Sequence, residues 1–318
     1  MAIHRPHFPD LLFEQTARFR AWEQQLSDLF RARGYREISP SLVMSKMREG
    51  AVRCIDGEHI VGLRWDFTEA LADLLALRFD APPGRVSYRG AVFRRPLHEW
   101  EPVERFEVGV ESITAPEDVQ ATDRELVRLL LEVPAQVGLR GCAVQLGSAA
   151  LLAEPLRREA IPPSVATEVA TWLSRRAPHR VYDALDGSPA RERLVAHAEC
   201  LLAGDIAKSP YAGQIEGAYR ELLDTEKVAR AAISADVGPH AVTLRVDTAD
   251  VAGFAFYTGP TLRLWAPHAA FELGAGGRYD GLYPQLGKPW HAAGFCIRLA
   301  RLLDLADGHP ELFTEVAS

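Results

Sequence analysis

The chain has 318 residues, of which 47% are hydrophobic and 25% charged, and its formal net charge is −7. These values are typical of a soluble globular protein with one large domain or two modest ones. The negative charge disfavours nucleic-acid binding, because neutralisation of phosphates drives that affinity, although a local basic face can suffice.

The cysteines and the N-terminus exclude several other classes of protein. Cys54, Cys142, Cys200 and Cys296 are scattered without a CxxC pair, which argues against a zinc site and against a disulfide framework. Residues 1–10 lack the apolar core of a signal peptide, and no run approaches 18 uninterrupted apolar residues. We therefore expect a cytoplasmic protein with reduced thiols, no metal and no cofactor.

The first third of the chain mixes helical and extended patterns. An apolar stripe at spacings of three, four and seven residues predicts a long helix after Asp10, which Gly34 ends in a left-handed conformation. Extended segments and one short amphipathic helix follow. They are the extended segment 35–44, the strand 58–63, the helix 68–79 and the strands 85–94 and 105–113.

In the remaining two thirds, predicted strands lie on both sides of a helical block. Thr114 and Glu117 have capping-box spacing and predict a helix to about Leu131. The later predicted elements are a strand at 142–146, a helix from Ser148, a helical block at about 154–236, strands at 241–247, 254–265 and 269–273, a turn at 274–277, a strand at 291–297 and a helix at 298–306.

This order of elements predicts an α+β fold. The strands are separated by long connections and do not alternate regularly with helices, which favours a mainly antiparallel sheet flanked by helices over a Rossmann or TIM architecture. We expect one domain over residues 1–318 with the helical block at about 154–236 inserted into it.

Four motifs, in this order, resemble the class II aminoacyl-tRNA synthetase fold and its histidine-specific branch. They are the Asp10-Leu11-Leu12 helix start with residues 34–40 (motif 1), Phe93-Arg94 with residues 106–111 (motif 2), the GFAFYTG segment at 253–259, and GGRYDGL at 276–282 with residues 294–302 (motif 3). No single piece is specific, but their order and spacing together make the resemblance strong. It implies the antiparallel class II sheet and a dimer formed through motif 1. A C-terminal anticodon-binding domain is expected to be absent.

The resemblance also implies a histidine pocket. It places Asp66 and Thr68 near the ligand's ammonium group, with Glu107 in the place of the usual glutamine. Glu111 and Tyr257 would hold the imidazole. The full set of predicted histidine-binding residues is Asp66, Thr68, Arg94, Glu107, Glu111, Phe256 and Tyr257. Glu107 and Glu111 are four apart on a strand pattern, so they share one face.

Each of these residues also has a plain structural interpretation. Glu107 and Glu111 could be solvent-facing acids with an arginine partner, and Tyr257 could be a packed core residue. Thr68 could simply cap the helix that follows it, since threonine is a favoured cap residue. Their fit to one pocket weakens these alternatives jointly.

Compared with the synthetases it resembles, the chain keeps binding groups and loses reaction groups. Arg94 and Arg301 match the arginines of motifs 2 and 3. The arginine and aspartate of the histidine-specific signature are replaced by Ala252 and Ala255, and loss of such a charge donor costs about 10²–10³ in rate. Arg298 stands where motif 3 has a glycine, and it would either obstruct a nucleotide or swing to solvent. The motif 2 loop is acidic, with Glu99, Glu101 and Glu104, which disfavours tRNA and ATP.

With binding groups kept and reaction groups lost, the chain resembles the ATP phosphoribosyltransferase regulatory subunits of histidine biosynthesis. The resemblance implies no catalytic residue, a hetero-oligomer with short-form catalytic subunits, and histidine as a feedback ligand. The alternative is an active class II enzyme that adenylates histidine or another small acid, which Arg94 and Arg301 favour and Ala252 and Arg298 oppose. A scaffold without a ligand is a third possibility.

Overall fold

The computed structural model describes residues 10–44, 50–95, 102–235, 241–251, 253 and 256–314. Two sheets and a set of helices account for these residues. The strands are β1 Arg36–Glu37, β2 Val43–Met44, β3 Arg53–Asp56, β4 His59–Leu63, β5 Gly84–Phe93, β6 Glu104–Thr114, β7 Ala143–Ser148, β8 Thr243–Val246, β9 Pro260–Trp265, β10 Gly274–Arg278 and β11 His291–Arg298. The helices are α1 Phe13–Ala32, α2 Phe67–Arg78, α3 Val119–Gln136, α4 Ala150–Arg158, α5 Pro163–Ser174, α6 Pro178–Ala184, α7 Arg191–Ala203, α8 Glu216–Ala235, α9 Leu282–Gln285 and α10 Leu299–Gly308.

The large sheet has eight strands in the order β1-β5-β6-β11-β10-β9-β7-β8. Its inner pairs are antiparallel, and the two outermost pairs, β1 with β5 and β7 with β8, are parallel. A small antiparallel sheet has the order β2-β4-β3. The predicted α+β class, with a mainly antiparallel sheet flanked by helices, is therefore confirmed.

Helix α1 follows its predicted apolar stripe. Its buried side chains include Phe19, Trp22, Leu26 and Phe30, which join the main hydrophobic core. Gly34 has φ +82°, the left-handed conformation expected after a helix end. The predicted long helix is thus confirmed.

Strand β6 separates the core from the other face of the sheet. Val108 and Val110 are fully buried in the main core, where Phe295 of β11 also lies. Because neighbouring residues of a strand point to opposite faces, Glu107 and Glu111 share the face away from this core. The apolar alternation of β6 therefore fixes the direction of both carboxylates.

The glycine-rich segment 274–277 was predicted as a turn, and this prediction is wrong. The segment is most of the central strand β10, whereas residues 269–273, predicted as a strand, lie outside the strands. β10 pairs with β11 on one side and β9 on the other. A β-carbon at Gly276 would overlap the backbone of Gly294 in β11, so close strand packing and not a turn explains this glycine.

The predicted capping box is also wrong. Thr114 lies in β6, where its register partner is His291 of β11, so it is part of the sheet. A 3₁₀ turn at Pro116–Asp118 leads into α3, and neither start shows a side-chain cap hydrogen bond. Helix α3 then continues past the predicted end to Gln136.

Residues 150–235 carry helices α4 to α8, as the predicted helical block requires. Buried Arg278 of β10 ties this block to the sheet. Its Nη1 lies 2.9 Å from Asp123 of α3, and its Nη2 pairs with Glu221 of α8. Across the described ranges, we find no helix with the length and apolar character needed to cross a membrane.

Candidate functional site

A cavity of about 220 Å³ lies on the face of the large sheet that carries Glu107 and Glu111. Residues of α2, β5, β6, β10 and β11 line it, together with Arg94 and the end of the GFAFYTG segment. The structure brings all seven predicted histidine-binding residues into the wall of this single cavity: Asp66, Thr68, Arg94, Glu107, Glu111, Phe256 and Tyr257.

The start of helix α2 presents two polar side chains to the cavity. Asp66 is the N-cap residue, and its Oδ1 accepts a hydrogen bond from the backbone N–H of Glu69 at 2.8 Å. The alternative that Thr68 is the helix cap is therefore wrong. Thr68 Oγ1 instead donates to Glu111 Oε1 at 2.7 Å, which links the helix to the floor of the cavity.

Glu111 is one of two nearly inaccessible acids of the site. It is only 3% exposed, and the hydroxyl groups of Thr68 and Tyr279 each donate to one of its two oxygens. Burial raises the pKa of Glu111 to about 7, although the two hydrogen bonds act in the opposite direction. A β-carbon at Gly294, its register partner, would overlap the Glu111 carboxylate, so glycine is required there.

Glu107 is 2% exposed and has a cationic partner. Arg94 Nη1 lies 3.0 Å from Glu107 Oε1, and Arg94 Nε donates to the backbone carbonyl of Trp65 at 2.9 Å. The alternative that Glu107 and Glu111 face solvent is therefore wrong. The positive charge of Arg94 offsets the cost of burying the Glu107 carboxylate, whereas hydrogen bonds from two hydroxyl groups offset the cost of burying Glu111.

Aromatic side chains form one wall of the cavity. Phe256 stacks on Tyr279 with ring centroids 4.9 Å apart and 23° between the planes. Tyr257 is half-buried, packs against a hydrophobic cluster that includes Phe67 and Tyr88, and also lines the cavity. Burial raises the pKa of Tyr257, which keeps its hydroxyl protonated.

Arg298 lies at the opposite end of the cavity floor from Gly294. Its Nη1 donates to Glu272 Oε1 at 2.7 Å, and the side chain is 18% exposed, so it does not swing to solvent. Arg301 Nη1 donates to the backbone carbonyl of Glu272 at 2.8 Å. Despite burial, which tends to raise it, the pKa of Glu272 is lowered by the charges of Arg298 and Arg301.

Sequence reasoning missed Tyr279 and the partner of Arg298. Tyr279 is part of the quoted GGRYDGL motif, but nothing in its spacing indicates a contact with Glu111, 168 residues away. The pairing of Arg298 with Glu272 spans 26 residues and a strand connection. Four residues of the argument against catalysis, Ala252, Ala255, Glu99 and Glu101, lie outside the described residues.

Among the described residues, no group of three or more His, Cys, Asp or Glu side chains is placed to hold a metal ion. The cavity offers carboxylates at both ends of its floor and hydroxyl and aromatic groups between them. Such a set suits a small organic cation with hydrogen-bond donors.

The class of protein that this fold defines is the histidyl-tRNA synthetase type, and the histidyl-tRNA synthetase family model matches residues 7–302. A regulatory subunit of ATP phosphoribosyltransferase from Moorella thermoacetica is 30% identical over 313 residues, covering 92% of this chain and 79% of the relative. The chain therefore belongs to the family of ATP phosphoribosyltransferase regulatory subunits, as the sequence predicted.

Two solved structures share the fold. The ATP phosphoribosyltransferase regulatory subunit/histidyl-tRNA synthetase from Bacillus halodurans has a TM-score of 0.77 at 20% identity and covers 96% of this chain and 83% of its own. A chain of the ATP phosphoribosyl transferase (HisG:HisZ) complex from Thermotoga maritima has a TM-score of 0.65 at 14% identity, covering 91% and 98%. These likenesses establish the class II synthetase-like architecture.

Proposed function

We propose that this chain is a non-catalytic regulatory subunit of ATP phosphoribosyltransferase and that its cavity binds free histidine as a feedback signal. Membership of the regulatory-subunit family supports the first part. The observation that carries the second is the convergence of the seven predicted residues on one cavity of about 220 Å³. This volume is below the roughly 300–1,000 Å³ of sites for drug-sized ligands and suits a single amino acid.

The chemistry of the cavity matches the groups of histidine. An imidazole N–H needs an acceptor, and Glu111 keeps acceptor capacity beyond its bonds with Thr68 and Tyr279 because a carboxylate has about four lone-pair sites. The ammonium group needs acids, and Asp66 and Glu107 supply them. A cationic ligand also lowers the cost of keeping several carboxylates buried together.

The position of Arg298 supports a binding role without adenylation. Motif 3 of the synthetases has glycine there, which leaves room for a nucleotide beside the backbone. Here the Arg298 side chain lines the cavity and is held by Glu272 at 2.7 Å. An ATP molecule would have to displace this ion pair.

Calorimetric titration of the purified chain with histidine tests the proposed ligand. Histidine at about 100 times its dissociation constant should stabilise the protein by roughly 2.7 kcal/mol. Glu111→Gln should weaken binding about tenfold or more, because a carboxylate acceptor is replaced by a weaker, neutral amide that also brings N–H groups toward the donors of the site. The exposed Glu192→Gln in α7 is the matched control. Unchanged affinity in Glu111→Gln would reject this site.

Histidine-dependent ATP–pyrophosphate exchange distinguishes a regulatory subunit from an active class II enzyme. We expect no exchange by the purified chain, with or without tRNA. Detection of histidyl-adenylate would replace the proposal with the alternative that Arg94 and Arg301 favour.

Assembly with a short-form catalytic subunit of ATP phosphoribosyltransferase is part of the proposal. The fold shared with a chain of the Thermotoga maritima complex supports it. Light scattering on the mixed subunits should show a hetero-oligomer, and phosphoribosyltransferase activity should rise with added regulatory chain and fall with histidine. Activity independent of this chain would contradict the proposal.

A homodimer through the motif 1 region is the other proposed contact. Leu12 and Phe13 at the start of α1 are 61% and 81% exposed. On the small sheet, the register partners Ile55 and Ile60 are 83% and 57% exposed. Exposed apolar groups of this kind favour burial by a second copy. A monomeric mass for the wild type in light scattering would reject this contact.

A further inference from the structure

The ligand's carboxylate has no assigned partner in the proposed histidine site. An anion that is partly withdrawn from water needs a cation or hydrogen-bond donors, because burial of an unpaired charge is costly. The position at which the synthetase signature carries an arginine is Ala252. If the cavity binds histidine as proposed above, another of its residues must hold this carboxylate.

The register of β6 and β11 gives the cavity floor two distinct ends. Glu111 lies opposite Gly294, and Glu107 lies opposite Arg298. Four residues along a strand correspond to roughly 13 Å, so the two ends are separated by about the length of an extended amino acid plus its contacts. With the imidazole at Glu111, the amino-acid head group lies towards Glu107 and Arg298.

Two arginines line this end, and they differ in their partners. Arg94 is engaged by Glu107 at 3.0 Å and by the carbonyl of Trp65, so its charge compensates a nearly inaccessible acid. Arg298 uses Nη1 for Glu272, donating to the side chain and to the backbone carbonyl of that one residue. A guanidinium has five N–H donors in a planar fork, which suits a second carboxylate.

Glu272 does not fully occupy Arg298. Its Oε1 lies 2.7 Å from Arg298 and 3.5 Å from Arg301, so one carboxylate is shared by two guanidinium groups. Arg263 is 4.0 Å away and has its own acid partner, Asp250, at 2.7 Å. Arg298 therefore keeps donors that a ligand carboxylate can use. The Arg298 side chain also lines a second cavity of about 420 Å³, beside Phe106 and Phe271.

We propose that Arg298 binds the α-carboxylate of the ligand. Arg298 thus does two things: it fills space that a nucleotide needs, and it selects a ligand with a free carboxylate. The site then distinguishes the amino acid from its alcohol and amide analogues.

Calorimetric titrations with histidine and histidinol test this assignment. The two ligands share the imidazole and the ammonium group but differ in the carboxylate. The wild type should prefer histidine by roughly 10- to 100-fold, the factor expected for a hydrogen bond between charged groups. In Arg298→Gln this ratio should fall towards one through loss of histidine affinity, with histidinol affinity retained. Arg157→Gln, an exposed arginine of α4, is the control.

Two further variants separate ligand binding from a structural role. Arg298→Lys should keep part of the preference, because the charge remains while the fork is lost. Glu272→Gln removes the competing carboxylate and should increase the preference for histidine. If histidinol and histidine weaken equally in Arg298→Gln, or if the ratio stays at its wild-type value, the assignment is overturned. If the wild type binds no histidine, the proposed function itself fails as well.

Discussion

The two ends of the cavity floor bury an acid in different ways. At one end, Glu111 is held by the hydroxyl groups of Thr68 and Tyr279, and burial raises its pKa to about 7. At the other end, Glu107 is paired with Arg94 at 3.0 Å. Glu111 can therefore take up a proton or bind a cationic donor, whereas the charge of Glu107 is already balanced by Arg94.

The largest effect is expected from Gly294→Ala, which breaks the Glu111 end. The new β-carbon would overlap the Glu111 carboxylate and lie close to the backbone of Val110, so the strand or the acid must move. Overpacking in a filled interior typically costs about 1–3 kcal/mol or more, and we expect the upper part of this range together with loss of histidine binding. Urea unfolding measures the first and calorimetry the second. Gly213→Ala, at a glycine with open space around it, should change neither.

Arg94→Ala breaks the other end and should have the next largest effect. It leaves Glu107 buried without its cation, for which the expected loss is about 3 kcal/mol in the free energy of unfolding. Adding Glu107→Gln to this variant should restore much of the stability, because the unpaired charge is removed. An Arg94→Ala protein as stable as the wild type in urea would mean that water or another cation already compensates Glu107.

Glu111→Gln sharpens the comparison through pH. With a folded-state pKa of about 7 against 4.5, the native protein keeps the Glu111 proton in a range where the unfolded chain has lost it. The free energy of unfolding therefore falls as pH rises from 4.5 to 7, by up to about 3 kcal/mol from this residue. Asp123, whose pKa burial also raises to about 7, acts in the same direction and remains in the variant.

The measurement for Glu111→Gln is urea unfolding at pH 5 and pH 8 without ligand. The loss of stability between the two pH values should be smaller in the variant than in the wild type. Parallel behaviour of the two proteins would show that Glu111 is ionised throughout this range in the folded state.

The sequence predicted the elements whose patterns are local. The stripe of α1, the alternation of β6 and the strand-to-helix passage from β11 to α10 are properties of neighbouring residues, and all were found. Strand β10 was not predicted, because its glycines are explained by backbone packing against β11 and not by a turn of their own. Local spacing carries no information on such contacts between strands.

The sequence predicted which residues line the site but not which side chains contact one another there. The motif resemblance named seven residues that line one cavity. It did not indicate that Tyr279 donates to Glu111 or that Glu272 holds Arg298, since each contact joins segments far apart in the chain. Which donor contacts which acid in the cavity depends on the register of the strands, and that register is defined only in the folded sheet.

Arg278 connects the helical block to the cavity. Its guanidinium is clamped by Asp123 of α3 and Glu221 of α8, and the next residue in the chain is Tyr279, which holds Glu111. Asp280 comes directly after Tyr279, and it accepts a hydrogen bond from the hydroxyl group of Thr258, near the end of the GFAFYTG segment. A contact between α8 and Arg278 is therefore one residue along the chain from the tyrosine that donates to Glu111.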